Sequence, residues 1–223
     1  MEKRVLITGA NTGIGLALVK KFLSVGFFVV GTSRNGKIES IQTENLLVIP
    51  LDVATDDSIQ KAATIIEKSG ISIDLLINNA GVGIDLDHIK PNINILKKTF
   101  DTNVFGLIDF TESILPYIKD GGTIFNISSL MGRLNKDNLS PNATGYRMSK
   151  AALNMYTKTL AARLLNKNVN VNSIHPGWVK TNMGGEDADL TPETAANGIY
   201  NLYQKNIPTA TFWDAENEEQ LNW

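Results

Sequence analysis

The chain has 223 residues, 43% of them hydrophobic and 20% charged, a length and composition that suit one globular domain with a sizeable core. Its formal net charge of −2, without clusters of lysine or arginine, argues against a nucleic acid or an anionic membrane as a partner. The absence of cysteine excludes disulfides, thiolate metal sites and a cysteine nucleophile, and two distant histidines, His88 and His175, do not suggest a metal site.

The first residues, "MEKRVLITGA", lead directly into an apolar run that is too short to span a membrane. They also lack the small-residue cleavage site of a signal peptide. We therefore expect a cytoplasmic protein, in agreement with the absence of cysteine. Three N-x-S/T triplets, at Asn126, Asn138 and Asn142, are interpreted as chance because glycosylation needs a secreted chain.

Short β-branched runs alternate with longer helical patterns along the chain. Strands are predicted at residues 4–8, 27–32, 46–50, 74–78, 123–128, 170–174 and 209–213. Helical spacing is found at residues 13–25, 55–69, about 92–118, 146–167 and 191–205. The alternation predicts a single doubly wound α/β domain over residues 1–223, a Rossmann fold with a mostly seven-stranded parallel sheet covered on both faces. Ligands in such sheets bind beyond the carboxyl ends of the strands.

A glycine-rich turn, "TGANTGIG", follows the first strand and opens the first helix. Glycine lets the backbone approach a pyrophosphate, and the helix N-terminus offers free N–H groups with a partial positive charge. A tight turn without a ligand is the alternative. The spacing T-G-x-x-x-G-x-G resembles that of the short-chain dehydrogenase/reductase family, which implies cofactor contacts from this turn. The candidate residues are Gly9, Asn11, Thr12, Gly13, Ile14 and Gly15.

The second strand leads to Ser33 and Arg34, at the position that faces the adenosine ribose in a Rossmann fold. A carboxylate here would accept the 2′-hydroxyl of NAD, whereas an arginine accommodates the 2′-phosphate of NADP. No acid occurs in "GTSRN", so we favour NADP(H) over NAD(H) as the cofactor. The alternative is a solvated surface arginine, because Asn11 and Thr12 add no second basic residue.

The ends of the third and fourth strands supply further candidates. The resemblance implies that Asp52 and Val53 lie along the adenine, although Asp52 could instead cap the next helix. The fourth strand ends in "NNAG", residues 78–81, whose two asparagines suggest a buried polar network. The family resemblance implies that this tetrapeptide supports the sheet and the loop under the nicotinamide ribose. Its candidate cofactor contacts are Asn79, Ala80 and Gly81, and purely structural support is the alternative.

Tyr146 and Lys150 are spaced to share one face at the start of the helix predicted at 146–167. A phenol has a pKa of about 10, and lowering it to about 7 requires roughly 4 kcal/mol. A cation about 4 Å away, at an effective dielectric constant of about 20, supplies roughly that amount. We therefore expect Lys150 to lower the pKa of Tyr146. A solvated pair on an exposed helix is the alternative reading of this spacing alone.

Five motifs occur in the order of the family between residues 8 and 181: the glycine turn, NNAG, the strand-end serines, Y-x-x-x-K and "HPGWVKT". The resemblance implies that Tyr146 donates a proton to a carbonyl oxygen, that Lys150 also binds the ribose, and that Ser129 steadies the carbonyl. Ser128, one residue earlier, should point to the opposite face of the strand. Asn103 would hold a water that links Lys150 to solvent.

Asn103 lies inside a predicted helix, where asparagine suggests a kink, or else a satisfied interior amide. After the sixth strand, Pro176 and Gly177 can fix a turn. The resemblance implies that this turn brings the Val179 backbone and the Thr181 hydroxyl toward the nicotinamide carboxamide, so all four residues are candidate cofactor contacts. We interpret His175 as structural, because a lone histidine at a strand end is more often so.

Two loops, at about 130–145 and 182–190, are expected to form most of the substrate pocket, with Met131, Trp178 and Met183 as candidates. "YRMSKAALN", "HPGWVKTNMGG" and a chain that stops soon after the last strand resemble the C-factor and sniffer-like carbonyl reductases. The acidic tail after that strand is interpreted as a solvated cap.

This resemblance implies an NADPH-dependent reductase of a small aldehyde, ketone or quinone. The alternative is a nicotinamide-binding regulatory or signalling protein with little turnover. The helices at about 92–118 and 146–167 favour a homodimer, although the same faces could simply cover the sheet.

Overall fold

The computed structural model describes residues 2–135 and 139–223. One sheet contains eight strands, in the order β3-β2-β1-β4-β5-β6-β7-β8. The strands are β1 (Arg4–Ile7), β2 (Phe28–Ser33), β3 (Leu46–Pro50), β4 (Ile73–Asn78), β5 (Ile118–Ile127), β6 (Asn170–His175), β7 (Phe212–Asp214) and β8 (Glu219–Leu221). Strands β1 to β7 pair in parallel, and β8 is antiparallel to β7. The predicted doubly wound α/β fold is confirmed, with one strand more than expected.

Six α-helices connect these strands in the described residues. They are α1 (Gly13–Ser24), α2 (Asp56–Ser69), α3 (Ile93–Phe100), α4 (Leu107–Ile114), α5 (Thr144–Arg163) and α6 (Pro192–Lys205). Their boundaries follow local signals: α2 ends at Gly70 in a left-handed conformation, and α6 begins at Pro192 after the capping side chain of Thr191. None of the helices described here has the length and hydrophobicity that crossing a membrane would require.

The sheet separates two apolar cores. Val5 and Ile7 of β1 pack into the core that contains α1 and α6, whereas Leu6 packs into the core with α2, α4 and α5. Successive side chains of a strand point to opposite faces, so an unbroken apolar run is what a sheet covered on both faces requires. The neighbours of β1 are β2 and β4, so the strand order reverses here. A crevice is expected at the carboxyl ends of β1 and β4.

The helix predicted over about 92–118 is not continuous. Asp101–Gly106 form a π-helical turn between α3 and α4, and Leu115–Tyr117 form a 3₁₀ turn after α4. Asn103 lies in the π turn, where its side chain bonds the backbone of Val82 instead of facing solvent. The expected kink therefore coincides with a contact between this helix and the segment that follows β4.

In the acidic tail Glu216 and Glu219 are exposed, as a solvated cap requires, but Asp214 is buried and Glu219–Leu221 form β8, a strand that was not predicted. The turn before this strand is organised by Asp214, whose carboxylate accepts hydrogen bonds from the Glu216 N–H (2.9 Å) and the Asn217 side chain (3.1 Å). The ring of Trp223 then stacks on Phe212, with centroids 5.7 Å apart. Local hydrogen bonds and an aromatic contact therefore return the chain onto the sheet despite its acidic side chains.

Candidate active site

A cavity of about 970 Å³ opens at the carboxyl edge of the parallel strands. This volume is at the upper end of the range for small-molecule sites. Residues that follow β1 to β6 all contribute to its wall. Every predicted cofactor-contact residue lines it: Gly9, Asn11, Thr12, Gly13, Ile14, Gly15, Ser33, Arg34, Asp52, Val53, Asn79, Ala80, Gly81, Tyr146, Lys150, Pro176, Gly177, Val179 and Thr181.

The glycine turn has a backbone that other residues would strain or block. Gly9 and Gly13 have φ angles of 64° and 51°, in the left-handed region. A Cβ at Gly15 would lie 2.1 Å from the Gly9 carbonyl oxygen, so only glycine fits there. The turn leaves the N-terminus of α1 facing the cavity with no side-chain cap. Close backbone approach and free N–H groups fit the pyrophosphate of a dinucleotide.

The two asparagines of NNAG have different hydrogen-bond partners. The Asn79 side chain donates to the carbonyl oxygens of Thr8 (2.9 Å) and Gly9 (3.2 Å), and therefore holds the glycine turn in place. Asn78 is buried and donates to Asn126 on β5 and to Thr111 on α4, both at 2.9 Å. Asn78 thus belongs to a polar network inside the fold, while Asn79 lies at the cavity.

The candidate cofactor contacts at the ends of β2 and β3 lie at one side of the cavity. Ser33 is engaged in the local turn, since its Oγ accepts the Lys37 N–H at 2.9 Å. Arg34 is exposed and lines the cavity. Asp52 Oδ1 accepts the Ala54 N–H at 3.0 Å, so the carboxylate organises the turn before α2 as well as facing the cavity.

Tyr146 and Lys150 occupy the first turns of α5 and are both buried, with 8% and 5% of their surfaces exposed. The Lys150 Nζ lies 5.6 Å from the centroid of the Tyr146 ring and donates to the Ile127 carbonyl at 2.8 Å. The side chains therefore meet at the carboxyl end of β5, where both line the cavity. A solvated surface pair is excluded by this burial.

The expectation that Lys150 lowers the pKa of Tyr146 is wrong for this structure. Burial raises the pKa of Tyr146 to about 12, and a hydrogen bond with Ser129 acts in the opposite direction. Burial also lowers the pKa of Lys150, to about 8. Desolvation disfavours the charged form of both groups, and the Lys150 ammonium is held on a main-chain carbonyl rather than on the phenol.

The two strand-end serines face different partners. Ser129 Oγ accepts the Met131 N–H at 3.1 Å, and its hydroxyl is the group that acts against the rise in the Tyr146 pKa. The hydroxyl of Ser128 donates to Asn154 Oδ1 at 2.6 Å within the protein. Ser129 is therefore the serine that the structure places beside Tyr146.

Asn103 is fully buried and is not part of the cavity wall. Its amide exchanges two hydrogen bonds with the backbone of Val82, both 2.8 Å long, and donates a third to Ser149. A Cβ at Gly81 would lie 3.2 Å from Asn103 Oδ1 and 3.6 Å from Lys150 Nζ. Asn103 thus lies directly behind Gly81, with the Lys150 ammonium nearby, and its side chain is satisfied by protein groups.

The turn after β6 closes another side of the cavity. Gly177 adopts a φ of 88°, and the segment beyond it pairs with Leu190 through Lys180 (2.8 Å) and Trp178 (3.0 Å). A Cβ at Gly13 would lie 3.0 Å from the Thr181 methyl group, so this segment reaches the glycine turn. His175 also lines the cavity, and burial lowers its pKa to about 4, which leaves the imidazole neutral at neutral pH.

The two predicted substrate loops meet the same cavity through Met131, Trp178 and Met183. The Trp178 Nε1–H donates to the Gly184 carbonyl at 2.8 Å, which ties the second loop to the turn after β6. Residues 136–138 of the first loop, with the Asn138 triplet, lie outside the described residues.

Sequence reasoning missed the wall that follows β4. Val82 and Leu86 line the cavity, and Asp85 is buried between them and α5. No motif marks these residues. The only signal is an aspartate soon after NNAG, in "GVGIDLD", where a second aspartate, Asp87, follows it.

Comparison with known proteins agrees with this geometry. A family model described as short chain dehydrogenase matches residues 3–190. The chain belongs to the short-chain dehydrogenase family. The match spans every element from β1 to the loop before α6, and so includes the whole cavity wall described above except Pro192.

Several short-chain dehydrogenases are similar over most of the chain. The NADPH-dependent 1-acyldihydroxyacetone phosphate reductase of Schizosaccharomyces pombe is 35% identical over 212 residues, which cover 92% of this chain and 70% of that protein. A dehydrogenase/reductase SDR family protein 7-like of Drosophila melanogaster is 30% identical, and the match covers 88% of this chain but 65% of that protein.

Two solved structures of carbonyl reductases are also similar. The NADPH-bound carbonyl reductase from chicken fatty liver is 30% identical, with a TM-score of 0.90 over 100% of this chain and 99% of that one. The carbonyl reductase Sniffer of Drosophila melanogaster is 27% identical, with a TM-score of 0.91 over 100% of both chains. The predicted resemblance to sniffer-like carbonyl reductases is confirmed.

Proposed function

We propose that this short-chain dehydrogenase uses NADPH to reduce the carbonyl group of a small aldehyde, ketone or quinone to an alcohol, with Tyr146 as the proton donor. The observation that carries the proposal is the position of the buried Tyr146, with Ser129 and Lys150 beside it, in the same cavity as the glycine turn. NADPH-bound carbonyl reductase and Sniffer, both carbonyl reductases of similar structure, support the reaction class.

Burial keeps Tyr146 in its protonated form. With a pKa of about 12, the phenol is fully protonated at neutral pH, which is the form that reduction requires. NADPH, when bound, supplies the hydride that adds to the carbonyl carbon. Tyr146 gives its proton to the carbonyl oxygen, and the product is the alcohol. The Lys150 ammonium lies 5.6 Å from the centre of the Tyr146 ring, and we assign it to binding the ribose hydroxyls of the cofactor.

Other residues have supporting roles in this proposal. The Ser129 hydroxyl donates to the substrate oxygen and thereby orients the carbonyl toward Tyr146. Asn103 holds the backbone of Val82 behind Gly81, next to Lys150, and we assign it to the path by which the proton returns from solvent. The loops at about 130–145 and 182–190 provide apolar side chains for the rest of the substrate.

The cofactor would lie along the glycine turn and the ends of β2 to β4. The glycine turn and the N-terminus of α1 fit its pyrophosphate, and we assign Arg34, which is exposed and lines the cavity, to a 2′-phosphate. Residues of NNAG and of the turn after β6 would hold the nicotinamide half. The chicken carbonyl reductase is a structure with NADPH bound, which supports the preference for NADP over NAD.

The decisive experiment measures NADPH oxidation over a panel of aldehydes, ketones and quinones for the wild type and Tyr146→Phe. General acid catalysis contributes about 10²- to 10⁴-fold, so we expect kcat to fall by at least about 100-fold while NADPH affinity changes little. Tyr156→Phe is the matched control, because Tyr156 lies on the same helix but donates to Glu112. Equal turnover by wild type and Tyr146→Phe would refute the proposal.

The alternative function is a regulatory or signalling protein that binds a nicotinamide cofactor with little turnover. The same experiment separates the two functions: NADPH binding without turnover in either protein would favour regulation. The presence of Ser129 and Tyr146 together in the cavity favours the enzyme, since a protein that only binds cofactor has no need of a phenol beside a serine hydroxyl.

We also propose that the protein is a cytoplasmic homodimer. Exposed apolar side chains on the helices predicted to pair, Ile93, Phe105, Met148 and Met155, support the dimer. A monomeric mass by light scattering would refute the dimer.

The absence of cysteine supports the cytoplasmic location, which cell fractionation would test.

A further inference from the structure

Asp85 lies just beyond NNAG and is almost completely buried, with 1% of its surface exposed. Its carboxylate accepts two main-chain hydrogen bonds from the first turn of α5, one from the Gly145 N–H at 2.6 Å and one from the Tyr146 N–H at 3.1 Å. The two segments are 60 residues apart in sequence. A charged side chain from the β4 end of the sheet therefore holds the residue that carries the phenol.

The helix itself provides no such support. The residue before α5, Ala143, has a left-handed backbone (φ 60°, ψ 36°) and no side chain that could cap the helix. The first N–H groups of a helix have no acceptor within the helix, and an anion there is stabilised by the helix dipole. Asp85 thus takes the place of the missing cap residue, through bonds that its charge strengthens.

Neighbouring contacts fit this arrangement. A Cβ at Gly145 would lie 2.9 Å from Asp85 Oδ2, so glycine leaves room for the carboxylate. The His88 carbonyl accepts the Ala143 N–H at 3.0 Å, and the Asn142 side chain donates to the Leu86 carbonyl at 2.7 Å. Because Leu86 also lines the cavity, the segment that holds the start of α5 forms part of the substrate wall.

We propose that Asp85 is a positioning residue for proton transfer, which fixes the first turn of α5 so that the Tyr146 hydroxyl stays beside Ser129 and the substrate carbonyl. This inference rests on the proposed role of Tyr146 as proton donor. A displacement of about 1 Å in a reacting group can lower the rate by about 100-fold. Asp85→Asn keeps the shape of the side chain but replaces one acceptor by a donor, which would face a main-chain N–H.

The test compares Asp85→Asn with Asp74→Asn at saturating NADPH and carbonyl substrate. Asp74 also accepts a main-chain N–H (Arg4, 2.8 Å) and bonds Lys119, but it lies at the amino end of β4, away from the cavity. We expect kcat to fall at least about tenfold in Asp85→Asn only, with NADPH affinity unchanged within about threefold. Wild-type kcat in Asp85→Asn would overturn the inference.

A double-mutant cycle of Asp85→Asn and Tyr146→Phe measures whether the two substitutions affect kcat independently. A purely structural role of Asp85 would give independent effects. If Asp85 acts through the Tyr146 hydroxyl, Asp85→Asn will have little further effect on the residual turnover of Tyr146→Phe. If Asp85→Asn lowered kcat by the same factor in the wild type and in Tyr146→Phe, the inference would be overturned, while the role of Tyr146 would stand. Failure of the proposed function is recognised separately, as full activity of the single Tyr146→Phe variant.

Gly145→Ala keeps the inference testable if Asp85→Asn does not fold. Alanine suits a helix better than glycine, but its methyl group would displace the Asp85 carboxylate. We expect a fall in kcat of at least about tenfold, with NADPH affinity retained. Wild-type kcat in a folded Gly145→Ala protein would overturn the role of Asp85.

Discussion

At the scale of single residues, burial shifts Tyr146 and Lys150 in opposite directions. The pKa of the phenol rises to about 12 and that of the amine falls to about 8, because removal from water disfavours each charged form. The sequence predicted that the two groups would meet, since helical spacing fixes which side chains share a face. The predicted lowering of the Tyr146 pKa was wrong, because the sequence does not show how completely folding removes the pair from water.

Lys150 gives a prediction for stability as a function of pH. The unfolded lysine keeps its proton to about pH 10.4, whereas the buried one loses it near pH 8. Between these values the unfolded chain binds more protons, so the free energy of unfolding rises with pH. Relative to Lys150→Met, we expect the wild type to gain on the order of 3 kcal/mol from pH 8 to 10.5.

Urea unfolding of both cofactor-free proteins at several pH values measures this difference. Taking the difference between the two proteins removes the contribution of other groups that titrate in the same range. A difference that stays constant with pH would mean that the ammonium of Lys150 is not desolvated in the folded protein.

At the scale of elements, the helix region between β4 and β5 shows what a pattern of apolar residues cannot reveal. Its spacing predicted one helix, but the π turn at Asp101–Gly106 realigns it. The turn depends on contacts with distant segments: Asn103 bonds Val82, and Gly106 lies against the Val53 carbonyl. Partners so far away in sequence leave no local trace beyond an interior asparagine and a glycine.

Gly106 lies so close to the Val53 carbonyl that its replacement by alanine should lower stability, the opposite of what helix propensity predicts. In an ordinary helix, Gly→Ala stabilises by about 1 kcal/mol. Here a Cβ would lie 1.6 Å from the Val53 oxygen, so we expect Gly106→Ala to destabilise by about 3 kcal/mol. Cofactor binding should weaken as well, since Val53 lines the cavity.

Denaturant unfolding and NADPH titration of Gly106→Ala check both effects. Gly26→Ala is the control, because Gly26 has a φ of 83° but no atom near its Cβ position. We expect a loss of about 1 kcal/mol from backbone strain there, and unchanged binding. If Gly106→Ala proved as stable as the wild type, the packing of this turn against Val53 would have to be looser than described.

The polar network across the sheet was predicted only at one end. NNAG indicated a buried amide, and Asn78 does bond Asn126 on β5. Asn126 in turn donates to Thr157 on α5, which accepts from Ser173 on β6, both at 2.9 Å. The register of the three strands brings these side chains together, and register between separate strands is not visible in one sequence.

At the scale of the whole molecule, the apolar runs of the strands and the helical patterns between them were sufficient to predict the fold. Long segments with helical spacing of apolar residues are recognisable in the sequence. Parallel strands buried on both faces are recognisable as continuous apolar runs, without alternating polar residues. The eighth strand was missed because it is three residues long and polar, and its position depends on the Asp214 turn and Trp223.

Cofactor binding should stabilise the whole fold, because only the folded chain forms the cavity. At 100 times the Kd, we expect the free energy of unfolding to rise by about 2.7 kcal/mol. If Arg34 meets the 2′-phosphate, Arg34→Ala will reduce the stabilisation by NADP but not that by NAD. Lys37→Ala is the matched control, an exposed cation nearby that does not line the cavity.

Thermal unfolding at fixed concentrations of NADP and NAD makes this comparison. A preference for NADP that survives Arg34→Ala would show that another group recognises the phosphate. A wild type stabilised equally by both cofactors would contradict the preference itself.

The common direction of β1 to β7 has a consequence for how this protein tolerates change. Each of these strands runs toward the cavity, so substitutions at their far ends act on folding and leave the reaction untouched. Asp74 lies at the amino end of β4, far from the cavity, whereas Asp85 lies beyond its carboxyl end, beside the cavity. We expect replacement of Asp74 to affect only folding and replacement of Asp85 to affect the reaction. Laboratory evolution toward new substrates should therefore accumulate its useful replacements along one rim of the molecule, while stabilising replacements remain available on the other.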